Sequence, residues 1–207
     1  MKMPRMLMLA VLALGAGLGA WSDQAAAAAT GAATVQAFYD TLLNTMRNGA
    51  TLGMRGRYAQ IAPVIKQSFD IPFMTRLAVG PSWNGISETQ QAQVTQAFEH
   101  YITAVYAQRF DSYSGEQLKV GGEQTSPAGT VITSQIIKSD GEPVHINYLM
   151  HQNGGSWQIA DVYLNGTISE LATRRSEFST ILSTRGIDGL IAALNEKTAT
   201  LGAARAS

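Results

Sequence analysis

Between Trp157 and Lys197 the sequence runs WQIADVYLNGTISELATRRSEFSTILSTRGIDGLIAALNEK. This stretch commits the chain to a strand, a tight turn and two amphipathic helices in succession. Trp157, Ile159, Asp161 and Tyr163 alternate with Gln158, Ala160, Val162 and Leu164, the period of two of a strand. Asn165-Gly166 then turns the chain, because both residues tolerate positive φ. Thr167-Ile168-Ser169-Glu170 fits a capping box, with the Thr167 hydroxyl accepting the N3 amide and Glu170 reaching back. Ile168, Leu171, Phe178, Ile181 and Leu182 fall on one helical face. Gly186 suits a left-handed helix end, and a second helix follows with Ile187, Leu190, Ile191, Leu194 and Leu201 on one side. Two apolar helix faces and a strand must share a core, so the C-terminal region is integral to the fold.

The chain has 207 residues, enough for one well-buried core. Fifteen basic residues balance fifteen acidic ones, so nothing points to nucleic acid. The absence of cysteine excludes disulfides and thiolate chemistry. Lys2 and Arg5 precede the apolar run Met6–Trp21, which is shorter than the roughly 20 residues of a spanning helix. Small residues at Ala25–Ala29 then suit cleavage. Residues 1–29 therefore read as a secretory signal peptide, the alternative being an uncleaved anchor. Residues 30–207 read as a single domain. No second apolar run is long enough to span a bilayer, which predicts a soluble mature chain in a bacterial periplasm.

Val35, Phe38, Tyr39, Leu42, Leu43 and Met46 mark a first amphipathic helix that Gly49 stops. Tyr58, Ile61, Ile65 and Phe69 keep helical spacing, but Pro63 must start, kink or end an element there. Asp70 is an expected N-cap, with Pro72 early in a short helix that ends at Gly80-Pro81. Ser87 and Gln90 form a second capping box for a long helix to about Phe110, roughly 33 Å at 1.5 Å per residue. Its face of Val94, Phe98, Tyr101, Ile102, Val105 and Tyr106 is rich in aromatics.

From Gln117 the pattern becomes extended. Gln117–Gly121, Thr130–Lys138, Pro143–Gln152 and Ser156–Leu164 read as four strands joined by hairpin turns. On the third, Val144, Ile146, Tyr148 and Met150 face one way, and His145, Asn147, Leu149 and His151 the other. Helices, then strands, then helices make an α+β pattern with a twisted four-stranded antiparallel sheet packed against several helices.

The sequence contains no nucleophile elbow, phosphate loop, dinucleotide fingerprint or metalloprotease motif, so neither a catalytic site, a cofactor nor a metal is expected. His145 and His151 share a strand face without further ligands at a metal-binding spacing. Glu170 and Arg174 suit a helical ion pair. Arg174-Arg175 could meet a lipid headgroup, a solvated face or a partner. What remains is an excess of apolar and aromatic faces. They either fill the core or leave a cavity for an apolar ligand, and periodicity does not separate the two.

FDIPFMTRLAVG at Phe69–Gly80, QRFDSYSGE at Gln108–Glu116, and ATRRSEF and GIDGL within Trp157–Lys197 together resemble one family. It is that of the periplasmic lipid-binding proteins typified by MlaC, the toluene-tolerance family. FYDTLLNTM, DGEPVHINYLM and DVYLNGTISELATRRSEF are closer still to its hopanoid-associated HpnM branch. The resemblance implies an apolar pocket between sheet and helices, no catalysis, and transport of a hopanoid or phospholipid between membranes. It also implies a membrane-bound transporter or lipid-exporting complex as partner. Carried over by position, the pocket candidates are Phe73, Leu77, Tyr101, Val105, Tyr106, Tyr148, Met150, Leu164 and Ile168. Met150 stands where the phospholipid carriers tend to have an aromatic residue, so a more adaptable wall is implied there.

Each methylene moved from water to an apolar site is worth about 0.8 kcal/mol. A two-chain lipid of about 30 methylenes therefore resists leaving a membrane bare by on the order of 20 kcal/mol, and only near-complete enclosure offsets this. An unfilled apolar cavity costs about 24 cal/mol per Å³. The protein is thus expected to carry lipid or to close its helices partly over the pocket. Two rival expectations are an accessory interaction protein with a vestigial pocket and, more remotely, a hydrolase on a similar scaffold.

Overall fold

The computed structural model describes residues 30–203, so the signal-peptide reading of residues 1–29 lies outside the described residues. Four helices come first: α1 (Gly31–Arg47), α2 (Gly49–Ser68), α3 (Ile71–Val79) and α4 (Glu88–Arg109), with a 3₁₀ turn at Gly80–Gly85. Strands β1 (Gln117–Ser126), β2 (Gly129–Ile137), β3 (Pro143–Asn153), β4 (Ser156–Leu164) and β5 (Ile168–Ser169) follow, and α5 (Glu170–Ala203) is last among the described residues. The sheet is antiparallel in the order β1-β2-β3-β4-β5. The expected α+β class holds, but the sheet has five strands, not four. The fifth is the two-residue β5, which pairs Ile168 with Leu164 and Ser169 with Tyr163.

The inner face of the sheet carries Ile132, Ser134, Ile146, Tyr148 and Met150, all buried. Against it lie Val35, Phe38, Tyr39 and Leu42 of α1. Phe38 meets Phe69 and Tyr106 edge-on, at 5.2 and 5.1 Å between ring centres. Hydroxyls inside this core are satisfied in a chain. Tyr148 donates to Tyr39 at 3.2 Å, Tyr39 and Ser134 share a bond at 2.6 Å, and Ser134 donates to the Ile146 carbonyl.

Several local expectations hold because they depend on neighbours in sequence. The Asp70 carboxylate accepts from Phe73 N at 3.2 Å, and Ser87 and Gln90 form the capping box of α4. Others need correction. Pro63 sits on an exposed face inside α2 without breaking it. The break falls at Gly53, whose φ of 58° is costly for residues with a Cβ. The alternation along β4 shifts phase at a bulge, where Met150 pairs with Ile159 but Leu149 with Asp161. Ala160 is the extra residue, so Ile159, Val162 and Leu164 share the inner face. Thr167 caps nothing. The helix begins at Glu170, and its amides are met by Ser169, which accepts from Ala172 N at 2.9 Å, and by Asp161 of β4, which accepts from Leu171 N at 3.1 Å.

Gly49 does not stop α1 but opens α2, after Asn48. A Cβ there would lie 1.9 Å from the Asp111 carbonyl oxygen. Close by, the buried Arg57 guanidinium donates to the carbonyls of Ala107 and Gly49 at 2.8 and 3.1 Å, tying the end of α4 to the start of α2. Gly49→Ala should therefore destabilise the fold by about 2 kcal/mol through overpacking, outweighing the ~1 kcal/mol that alanine gains in helix propensity. Thermal denaturation checks this: a raised melting temperature would show that the two backbones part freely.

Candidate functional site

Between the sheet and α4 lies a cavity of about 160 Å³. Its floor is Ile146 and Tyr148 of β3 with Val162 and Leu164 of β4, brought to one face by register and by the bulge. Its roof is the stripe of α4 from Phe98 through Tyr101, Ile102, Val105 and Tyr106 to Arg109, residues three and four apart. Phe110 continues this wall past the helix end, and Phe69 and Met74 close the far side. The first turns of α5 supply Glu170, Leu171 and Arg174, which with Arg109 make the charged edge.

That edge is organised. Arg174 bonds Glu170 at 3.1 Å and both oxygens of Glu177 at 3.0 and 3.1 Å. Its guanidinium also lies 5.6 Å from the centre of the Tyr101 ring. Burial alone would weaken the arginine's hold on its proton, but Tyr101, Glu177 and Glu170 outweigh it and raise its pKa. The interior holds no charge. Burial, and after it the neighbouring Tyr39, pushes the Tyr106 and Tyr148 phenols above their usual range, with Arg109 opposing at Tyr106, so both stay neutral at physiological pH. Such a site can exclude water and hold apolar matter. Among the described residues no group of three or more His, Asp or Glu is placed to hold a metal.

Of the residues expected from sequence, Tyr101, Val105, Tyr106, Tyr148 and Leu164 line this cavity. Phe73, Leu77, Met150 and Ile168 do not. Phe73 packs under the His151 ring at 4.8 Å, and that histidine meets Asp70 at 3.1 Å through Nδ1. Leu77 is 37% exposed and Ile168 53%. Met150 is buried near Gly31, on the α1 side. On α3 the buried residues are Ile71, Met74, Thr75 and Ala78, so within Phe73–Leu77 it is Met74 that reaches the cavity. Their spacing of three and four was the available signal. Ile168 is held in β5 beside Leu164, at the rim rather than on a helix face. Phe98 also lines the cavity, on the aromatic face of α4 that it shares with Tyr101 and Tyr106; Phe69, Ile146 and Val162 carry only helix or strand periodicity, and no local pattern distinguishes a core residue from one bordering a cavity.

The family model of the MlaC protein matches residues 36–196 of the chain. The fold is similar to the three-dimensional structure of a phospholipid-binding protein from Ralstonia solanacearum in complex with a phospholipid. The TM-score is 0.72 and the identity 23%, over 84% of this chain and 99% of that one. At that identity the likeness shows the shared fold.

Proposed function

The chain belongs to the MlaC family, and we propose that it is a periplasmic lipid-binding protein that encloses an apolar lipid between sheet and helices and shuttles it between membranes. One observation carries the reading: a neutral cavity walled by aromatic and aliphatic side chains, charged along one edge only. A buried lipid tail needs such walls, because each polar group left unpaired against it costs free energy. A phospholipid ligand gains support from the complex of the Ralstonia solanacearum protein, and a hopanoid from the sequence likeness to the HpnM branch. The donor and acceptor are membrane-bound transport or lipid-exporting complexes. The apolar leader segment fits export to the periplasm.

The cavity of about 160 Å³ is close to the size, about 150 Å³, that takes up a benzene molecule. A diacyl lipid or a pentacyclic hopanoid is several times larger, so loading requires the walls to move apart. Native mass spectrometry of the mature protein from its own periplasm, with lipid extraction of the same sample, tests the reading. One lipid per chain is expected. A phospholipid makes this a general carrier, and a hopanoid makes it a specialised one. No bound lipid, together with no uptake from vesicles, leaves an accessory interaction protein instead.

A further inference from the structure

Helix α5 is broken at Gly186, with φ 64° and ψ −168°, and a Cβ there would meet nothing within 4 Å. The segment before the break borders the cavity through Leu171 and Arg174. The segment after it, 187–203, lies along α4. There it forms the outer side of a second, larger groove of about 550 Å³. Cavity and groove share four wall residues, Tyr101, Val105, Arg109 and Arg174.

Only side chains hold this wall closed. Arg174 and Lys197 both lie over the Tyr101 ring, at 5.6 and 5.8 Å. Glu177 joins them, at 3.0 Å from Arg174 and 3.6 Å from Lys197. The Glu177–Lys197 contact crosses the break, and both side chains are more than a third exposed, so it is a weak link. Near the break the outer segment is anchored: Gln90 donates to Asp188 at 3.1 Å, and Leu190 and Leu194 are buried. Towards its far end Leu201 is only partly covered.

We propose that the outer groove is a second compartment of the lipid site, joined to the cavity when the far end of 187–203, beyond the buried Leu194, swings away from α4 and Tyr101 parts from Lys197. This rests on the lipid-carrier reading and gives it a ligand class. The joined site takes an amphipathic lipid, with its aliphatic chain in the cavity and against Val105, Ala193 and Leu201, and its polar end along Gln108, Arg109, Glu196 and Lys197. The charged wall residues meet the end that stays near solvent.

The chain has no cysteine, so spin labels placed by Gln108→Cys and Thr200→Cys, both exposed and on opposite sides of the groove, report this separation directly. The delipidated double variant is compared with the same protein loaded from vesicles of dioleoyl phosphatidylethanolamine and phosphatidylglycerol. A longer, broader distance distribution in the loaded sample is expected. Lipid bound with an unchanged distance overturns the proposal and leaves the carrier reading intact. No lipid bound overturns both. Lys197→Met removes the link across the break and should speed uptake by about twofold to fivefold, the scale of an exposed ion pair. Unchanged or slower uptake would count against the swing.

Discussion

Val105→Trp should leave the protein folded and reduce its lipid affinity by roughly 200-fold. Val105 is only partly buried and borders both the cavity and the groove, so an indole there enters open space instead of occupied core. If it displaces about four methylenes of ligand, at about 0.8 kcal/mol each, the loss is about 3 kcal/mol, or roughly 200-fold. The variant protein, purified in parallel with the parent, is examined for bound lipid and for uptake from vesicles, and its melting curve is recorded. An unchanged affinity in a folded variant would remove this cavity from the function. Tyr148 is a poorer choice of position. It is 2% exposed, donates to Tyr39, and packs edge-on against Phe38 and Tyr39. A charged side chain there would unfold the core before it reported on a ligand.

The same numbers explain why a lipid carrier of this build needs a movable wall. Enclosure must offset on the order of 20 kcal/mol of exposed tail, yet an unfilled cavity costs about 24 cal/mol per Å³. A cavity of about 160 Å³ carries a cost of at most about 4 kcal/mol on that scale, which a folded domain tolerates. One shaped for a whole diacyl lipid would cost several times more. Side chains that close the space when no lipid fills it limit that cost. Phe98, Tyr101, Tyr106 and Phe110 suit the task, being large enough that small rotations change the volume.

The parts of this molecule legible in its sequence are those set by residues within one helical turn or one hairpin of each other. Asp70 and Phe73, or Ser87 and Gln90, are three apart, and their caps formed as expected. The four main strands and the two faces of β3 followed from alternation and turn residues. What escaped was long-range. Thr167 and Glu170 look like a capping box, but pairing of Ile168 with Leu164 keeps the chain extended for two more residues. The α5 amides are then met by Asp161, ten positions before Leu171. Gly49 reads as a helix stop until the Asp111 carbonyl is seen against it, 62 residues away in sequence. The cavity was hidden for a related reason. Helix periodicity identifies which face of α4 is buried, but whether the facing side chains touch depends on how five elements are held apart.

Asp161→Ala should be the most destabilising of these substitutions, by about 4 kcal/mol, lowering the melting temperature by roughly 12 °C at ~3 °C per kcal/mol. Asp161 is 6% exposed and accepts three hydrogen bonds: from Val162 N at 2.7 Å, from the Ser169 hydroxyl at 2.6 Å and from Leu171 N at 3.1 Å. Bonds to a charged acceptor contribute about 1.5–3 kcal/mol each, and removing the carboxylate leaves buried donors unmet. Its position fixes the consequence for the site. Asp161 ties β4 to the first turn of α5, and that turn carries Glu170, Leu171 and Arg174 into the cavity wall. Loss of the tie should loosen this edge before the whole domain unfolds. Hydrogen exchange at the amides of 168–174 should accelerate more than at those of α1, whose packing on the sheet does not involve Asp161. Asp161→Asn retains one acceptor oxygen and should recover part of the loss. If alanine and asparagine melt alike and both within 1 °C or so of the parent, the carboxylate is not what positions α5.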